Sequence, residues 1–183
     1  MAVCEKNPTI VHMVQSLIFL LRKTISNSNE FITIREELEI LEKYIEIQKI
    51  RYYDSFDYET IVDPNVADAL IPKLILQPLV ENALFHGIHG CDRRGLIKVS
   101  VQREEDDCVI VIHDNGSGIN MDRLQAQLID TNAESFSGIG VNSVNERIKL
   151  NYGEKYGLSF SSTKESHTDV TVRFAYQKAG DMN

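Results

Sequence analysis

Residues 79–88 read LVENALFHGI, an apolar stretch interrupted by an acid, an amide and an imidazole: Glu81, Asn82 and His86. Asn82 and His86 are four apart, which puts them on one face of a regular helix. An asparagine carbonyl is a hard oxygen ligand suited to Mg²⁺, a cation that keeps most of its waters and takes few protein ligands. The same residues also fit a core in which amide and imidazole are bonded internally. A second stretch, HDNGSGI from His113 to Ile119, sets a carboxylate at the end of an apolar run and follows it with Gly116 and Gly118. Asp114 there suits an exocyclic amine such as adenine N6, and the two glycines let backbone approach a flat ring. An ordinary strand-to-turn connection reads the same way. The third stretch, SGIGVNSV from Ser137 to Val144, puts Gly138 and Gly140 directly ahead of an expected helix, where free N–H groups and the positive dipole end suit phosphate. A glycine hinge fits it equally well. Neither G-x-G-x-x-G after a strand nor G-x-x-x-x-G-K-[ST] occurs, so a dinucleotide fold and a P-loop are not indicated.

The elements that must position these groups follow from pattern. Asn7-Pro8 reads as an N-cap with proline at the first helical position. Ile10, Val11, Val14, Leu17, Ile18, Leu21 and Ile25 then recur at helical spacing. Thr33 and Glu36 form a capping box for a second helix reaching about Tyr52, with Ile34, Leu38, Leu41, Ile45 and Gln48 on one face. The two make a helical hairpin, packing either on its own domain or as a seam against another subunit. Beyond Ser55, FDYETIV reads as a strand, and Pro72 is expected to open the helix that carries Asn82. LIKVSVQRE and CVIVIHD form a hairpin, NMDRLQAQLID a short helix and TNAESFSGIG a glycine-bearing loop. A helix stopped by Gly153 follows, then the strands LSFSST and DVTVRFAY. The expected fold is α+β: a mixed, mostly antiparallel sheet with helices on one face, preceded by the hairpin. The expected division is a hairpin over 1–54 and a second domain over 55–183.

The net charge of −8 over 183 residues argues against a duplex DNA-binding surface, yet permits a nucleotide held by backbone N–H groups and a metal. Three scattered cysteines, Cys4, Cys91 and Cys108, indicate neither a disulfide framework nor a zinc site. LIFLL is far too short to span a bilayer, and no signal peptide is visible.

An asparagine on a helix, then Asp-x-Gly-x-Gly after a strand, then Gly-x-Gly before a helix, resembles the N, G1 and G2 boxes of the GHKL ATP-binding fold. That fold is shared by histidine kinases, DNA gyrase, mismatch-repair ATPases and heat-shock chaperones. The T-x-V-T-V pattern beginning at Thr168 fits it too. LEKYIEIQKIRY, IPKLILQPLVENALFHGI and GIGVNSVNERIKLNYG narrow the resemblance to LytS-type sensor histidine kinases, over about residues 10–176. It implies ATP and Mg²⁺ as cofactors, a homodimer through the N-terminal helices, a response regulator as partner, and the cytoplasmic part of a bacterial membrane sensor.

By the resemblance, Asn82 holds Mg²⁺ on the triphosphate, and His86 lines the ribose and phosphate side. Glu81 and His86 are the candidates for the catalytic step. Asp114 reads the adenine amine, Gly116 and Gly118 shape the pocket, Gly138 and Gly140 approach the phosphates, and Thr168 lies beside the adenine. The segment 119–137 is the expected lid. The sequence departs from the family's pattern at Phe85, where a lysine is usual, and at Ser143, where asparagine is frequent. A His-Phe-x-Phe-Asn acceptor motif is absent; the resemblance places it ahead of Met1, and His12 has the wrong neighbours. The expectation is a chain that binds ATP without its own acceptor. An ATP-gated conformational switch, an anti-sigma-type serine kinase and a dimerisation module with a decayed pocket are the other readings. Pro78, standing where the hydrolytic relatives place a water-activating glutamate, speaks against the first of these.

Overall fold

The computed structural model describes residues 7–25, 30–88, 91–118, 136–163, 165–178 and 180. Helix α1 (Pro8–Ile25) starts as the sequence predicts, with Asn7 Oδ1 accepting from Thr9 N at 3.0 Å. Helix α2 (Ile34–Arg51) follows a three-residue strand, β1 (Phe31–Thr33). Its capping box is complete: Thr33 Oγ1 accepts from Glu36 N, and Glu36 Oε2 from Thr33 N. A Thr33→Ala substitution should cost about 1 kcal/mol, read as a lowered denaturation midpoint at constant slope.

Equal periodicity gives the two helices different fates. The α2 stripe (Ile34, Leu38, Leu41 and Ile45, with Ile40 and Tyr44) enters the same core as the sheet. The α1 stripe (Ile10, Val11, Val14, Leu17, Ile18, Leu21, Ile25) stays exposed, between 41% and 78%. α1 turns its other face inward instead, with Phe19 and Leu20 packed against the core and polar ties to α2 beside them. Ser16 Oγ donates to Glu46 at 2.7 Å, His12 Nε2 lies 3.3 Å from the same carboxylate, and Lys23 Nζ lies 3.5 Å from Glu39.

The remaining elements are β2 (Phe56–Val62), β3 (Leu70–Pro72), α3 (Leu76–Asn82) running into a π-helical turn over Ala83–Ile88, β4 (Gly95–Glu104), β5 (Asp107–Asp114), α4 (Phe136–Tyr152), β6 (Gly157–Thr163) and β7 (His167–Ala175). Strands β2-β4-β5-β7-β6 form one sheet, parallel only between β2 and β4; β1 and β3 pair separately. Alternation fixes the faces: Ile97, Val99, Val101, Ile110, Ile112, Val170, Val172 and Phe174 point into the core against Leu79, Val144 and Ile148 of the helices. Tyr152, at the end of α4, donates to Leu70 O at 2.8 Å and closes that end of the core. Gly153, at φ +103, ends α4 as expected.

Three expectations need correction. Pro72 does not open a helix: it pairs with Phe31 in the short sheet, and α3 begins at Leu76. The reason is distant in sequence, since the Glu37 carboxylate takes up the first N–H groups of α3 (2.8–3.0 Å). Gly138 and Gly140 do not precede a helix but lie within the first turns of α4, which starts at Phe136. Two glycines cost a helix only about 2 kcal/mol, and the buried stripe Val141–Val144–Ile148 offsets it. Asn82 and His86 are not on one regular α-helix, because the backbone widens into a π turn after Asn82. The short helix expected over 120–130 and the lid through residue 135 lie outside the described residues. No helix among the described residues is long and apolar enough to cross a membrane.

Candidate nucleotide site

Asp114 is the last residue of β5, a central strand, and its side chain points to the core face with 3% exposure. Its backbone partners are Ile97 on β4 and Thr168 on β7. Thr168 is 1% exposed, with its hydroxyl 3.4 Å from Ser162 Oγ. Asp114 Oδ1 accepts the N–H of Gly116 at 2.9 Å. A carboxylate has about four lone-pair sites, so one such bond leaves most of its accepting capacity unused. Burial pushes this carboxyl up to about 6, against the single N–H bond and the charges of His113 and His167, which lower it.

The wall opposite is glycine. A Cβ on Gly87 would lie 2.4 Å from Asp114 Oδ1, and one on Gly116 would lie 2.1 Å from the carbonyl carbon and oxygen of Gly87. The π turn therefore carries Gly87 flush against the strand end, and Ser117 N donates to Gly87 O at 2.9 Å to hold it there. Gly118 adopts φ +72, the left-handed region that favours glycine. Helix and loop are thus stitched through backbone, which leaves the Asp114 carboxylate at the junction.

The residues sequence reading missed are the braces. Asn115, read as a turn residue, accepts from Leu96 N at 2.7 Å through Oδ1 and donates to Arg94 O at 3.2 Å. Arg93 donates to the carbonyls of Asn115, Gly116 (2.8 Å) and Ser166 (2.8 Å), gathering two loops under one guanidinium. Glu165 N donates to Ser117 O at 2.7 Å. Gly87 had a signal, as a glycine within a helical pattern marks close backbone approach. Arg93 had none.

The other expected residues sit around this junction. Asn82 closes α3, half-buried, one turn ahead of Gly87, and its side chain makes no hydrogen bond among the described residues. Gly140 lies against Pro78, so the start of α4 packs beside α3. His86 falls in the π turn. Glu81 is turned to the hairpin side, accepting from Gln77 Nε2 at 2.9 Å, with its charge acting on the Tyr44 hydroxyl of α2. Phe85 is 38% exposed, edge-on to Tyr52, and the Arg51 guanidinium stands 5.9 Å from its ring centre. A cation from α2 therefore reaches the position where a lysine is usual.

A helix-backed mixed sheet of this kind is the fold of solved histidine kinase catalytic domains. The histidine kinase domain of the blue-light activated histidine kinase from Erythrobacter litoralis superposes with a TM-score of 0.58 at 14% identity, covering 92% of this chain and 75% of that one. Residues 67–178 match the family described as histidine kinase-, DNA gyrase B-, and HSP90-like ATPase, and residues 1–56 match the histidine kinase family. The chain belongs to this ATPase family, in its LytS-type histidine kinase branch. It is 33% identical to the sensor histidine kinase YesM of Bacillus subtilis over 94% of its length, and 31% identical to the sensor protein LytS of Staphylococcus haemolyticus over 74%. It spans 29% and 24% of the length of those two relatives.

Proposed function

We propose that this chain is the ATP-binding, catalytic part of a two-component sensor histidine kinase. It transfers the γ-phosphoryl of Mg-ATP to a histidine, from which the group passes to an aspartate of a response regulator. The observation that carries the reading is Asp114: a buried carboxylate with spare accepting capacity at the end of a central strand, against which Gly87 and Gly116 bring backbone close. Its free oxygen accepts from adenine N6 while Oδ1 stays on Gly116 N. Thr168 lies beside the ring, and Gly116 and Gly118 let the loop backbone follow it.

On the phosphate side, the N–H of Gly138 is among the first four of α4, which have no partner within the helix, and Gly140 lets that helix sit close to Pro78. Among the described residues no cluster of three or more His, Cys, Asp or Glu could cage a metal. The donor set fits an ion held by phosphate oxygens, waters and one protein ligand, and Asn82, with no competing hydrogen bond among the described residues, is that ligand. Bound there, Mg²⁺ supplies charge neutralisation across the triphosphate. His86 lines the ribose and phosphate side. Glu81, tied to Gln77, steadies the helix next to Asn82 for the transfer.

Pro78 supplies no carboxylate for activating water, which favours transfer over hydrolysis. The exposed α1 stripe suits a homodimer through the N-terminal helices, burying apolar area that no part of the described chain covers. Function divides near residue 54, hairpin for dimerisation and remainder for ATP, with α2 also contributing its inner face to the core of the sheet. We assign the chain to the cytoplasmic side of a membrane sensor.

Nucleotide titration tests the metal assignment. Mg²⁺ should raise ATP affinity about tenfold, roughly 1.4 kcal/mol, and Asn82→Ala should abolish that gain while leaving Mg-free affinity near its starting value. Retained Mg²⁺ dependence would move the metal elsewhere. Incubation with labelled ATP and a separate fragment bearing a LytS-type acceptor histidine should place acid-labile label on that fragment; label on serine, or release of free phosphate alone, would contradict histidine transfer.

A further inference from the structure

A second buried carboxylate, Glu37 on α2, has 1% exposure and is not part of the nucleotide site. Its Oε1 accepts from Ile75 N at 2.8 Å and Leu76 N at 2.9 Å, and its Oε2 from Leu74 N at 3.0 Å. Burial raises its pKa; the three N–H bonds and the charge of Arg147 act the other way. These N–H groups belong to the turn that enters α3, and that helix start has no side-chain cap from its own N-cap residue, Ile75. Within this turn Leu74 sits at φ +57, a conformation that a branched apolar residue adopts only when its surroundings impose it.

The other side of the turn is held by the hairpin as well. Lys73 Nζ donates to Lys23 O in the last turn of α1 at 3.1 Å, and Lys73 N donates to Glu30 O at 3.0 Å. The strained turn over residues 73–76 is therefore gripped from α1 through Lys73 and from α2 through Glu37. It leads straight into α3, a short rod that ends at Asn82. A helix transmits displacement along its length, because every residue in it is fixed by the ladder. A shift of about 1 Å at a reacting group can cost as much as 100-fold in rate.

We propose that Glu37 is a positioning residue, and that the Glu37-held turn at 73–76 is the joint through which the attitude of the helical hairpin sets the placement of Asn82. This rests on the reading of Asn82 as the metal and phosphate contact. A buried ion contributes little net stability compared with an apolar replacement, and it does contribute direction. Three convergent N–H bonds fix where α3 starts and which way it points. A plain helix cap would affect only the first turn of α3, whereas a joint affects its far end.

The test uses the full 183-residue chain. Glu37→Gln keeps the shape but turns an amide donor toward backbone donors. Amide hydrogen exchange should quicken about tenfold through residues 77–88, with β5 and β7 unchanged. The Mg²⁺-dependent gain in ATP affinity should fall about tenfold, while Mg-free ADP affinity stays within about twofold. Lys73→Ala, at a partly exposed position, should show the same pattern more weakly and serves if Glu37→Gln does not fold. Glu37→Asp, which keeps the charge, should recover part of both effects. Faster exchange confined to residues 74–76, or an unchanged Mg²⁺ gain, would overturn the joint. If the parent chain itself shows no Mg²⁺ gain, the Asn82 reading fails, and the exchange pattern alone decides whether Glu37 governs the far end of α3.

Discussion

An Asp114→Asn variant should lose about 10- to 100-fold in ATP affinity, the worth of a charge-assisted hydrogen bond of about 1.5–3 kcal/mol, and should unfold no earlier than the parent chain. The two outcomes together separate a binding group from a structural one. Asn keeps an oxygen to accept from Gly116 N, so the loop bond at 2.9 Å survives. The variant also removes a buried charge. The folded-state pKa of Asp114, about 6, stands above its ordinary value of 3.8, so the folded chain holds the proton more tightly than the unfolded one. Stability from this group therefore falls as pH rises from about 3.8 through about 6, by up to about 3 kcal/mol. Above pH 6 the asparagine variant escapes that loss, and its thermal midpoint should equal or exceed the parent's. Nucleotide binding runs the other way, because the carboxylate is the form that accepts from adenine N6. Affinity should be flat above about pH 7 and roughly tenfold weaker at pH 5. Titration calorimetry across that range, with melting of both chains, checks both halves. A destabilised variant with intact affinity would make Asp114 structural.

The second large effect is expected at Gly116. A Cβ there meets the carbonyl carbon and oxygen of Gly87 at 2.1 Å, and backbone cannot swing aside. Gly116→Ala must push the Asp114 loop away from the π turn, costing about 1–3 kcal/mol of stability and the Ser117-to-Gly87 bond. The site should lose ATP binding below the measurable range. Gly87→Ala is the instructive comparison. Its Cβ collides with the Asp114 side chain rather than with backbone, so Gly87→Ala combined with Asp114→Ala should regain most of the lost stability while binding stays absent. Additive destabilisation in that pair would show that the two positions do not touch as described.

Local chemistry was legible in the sequence and long-range chemistry was not. Thr33 with Glu36, Asn7 with Pro8, Gly153, and the β4–β5 hairpin each act through neighbours within a few residues, and each is found where the pattern puts it. Asp114, Gly116 and Thr168 gather at one strand end because strand alternation and pairing bring them there. What failed needed a distant partner. Pro72 looked like a helix start, yet α3 begins four residues later because Glu37, remote in sequence, supplies its cap. Gly138 and Gly140 looked like a loop, yet the buried stripe beyond them draws the helix back to Phe136. The parallel pairing of β2 with β4 carries no local signature. The stripes on α1 and α2 are the sharpest case: the same period is solvent-facing in one and core in the other, and only the sheet behind α2 distinguishes them.

The most direct test of the adenine assignment compares ADP with inosine diphosphate, which differs by a 6-oxo group in place of the 6-amino group. A carboxylate acceptor predicts at least about tenfold weaker binding of the inosine nucleotide, and a preference that narrows or reverses in Asp114→Asn, whose amide can donate to the oxygen. Equal affinities for the two nucleotides in the parent chain would contradict it.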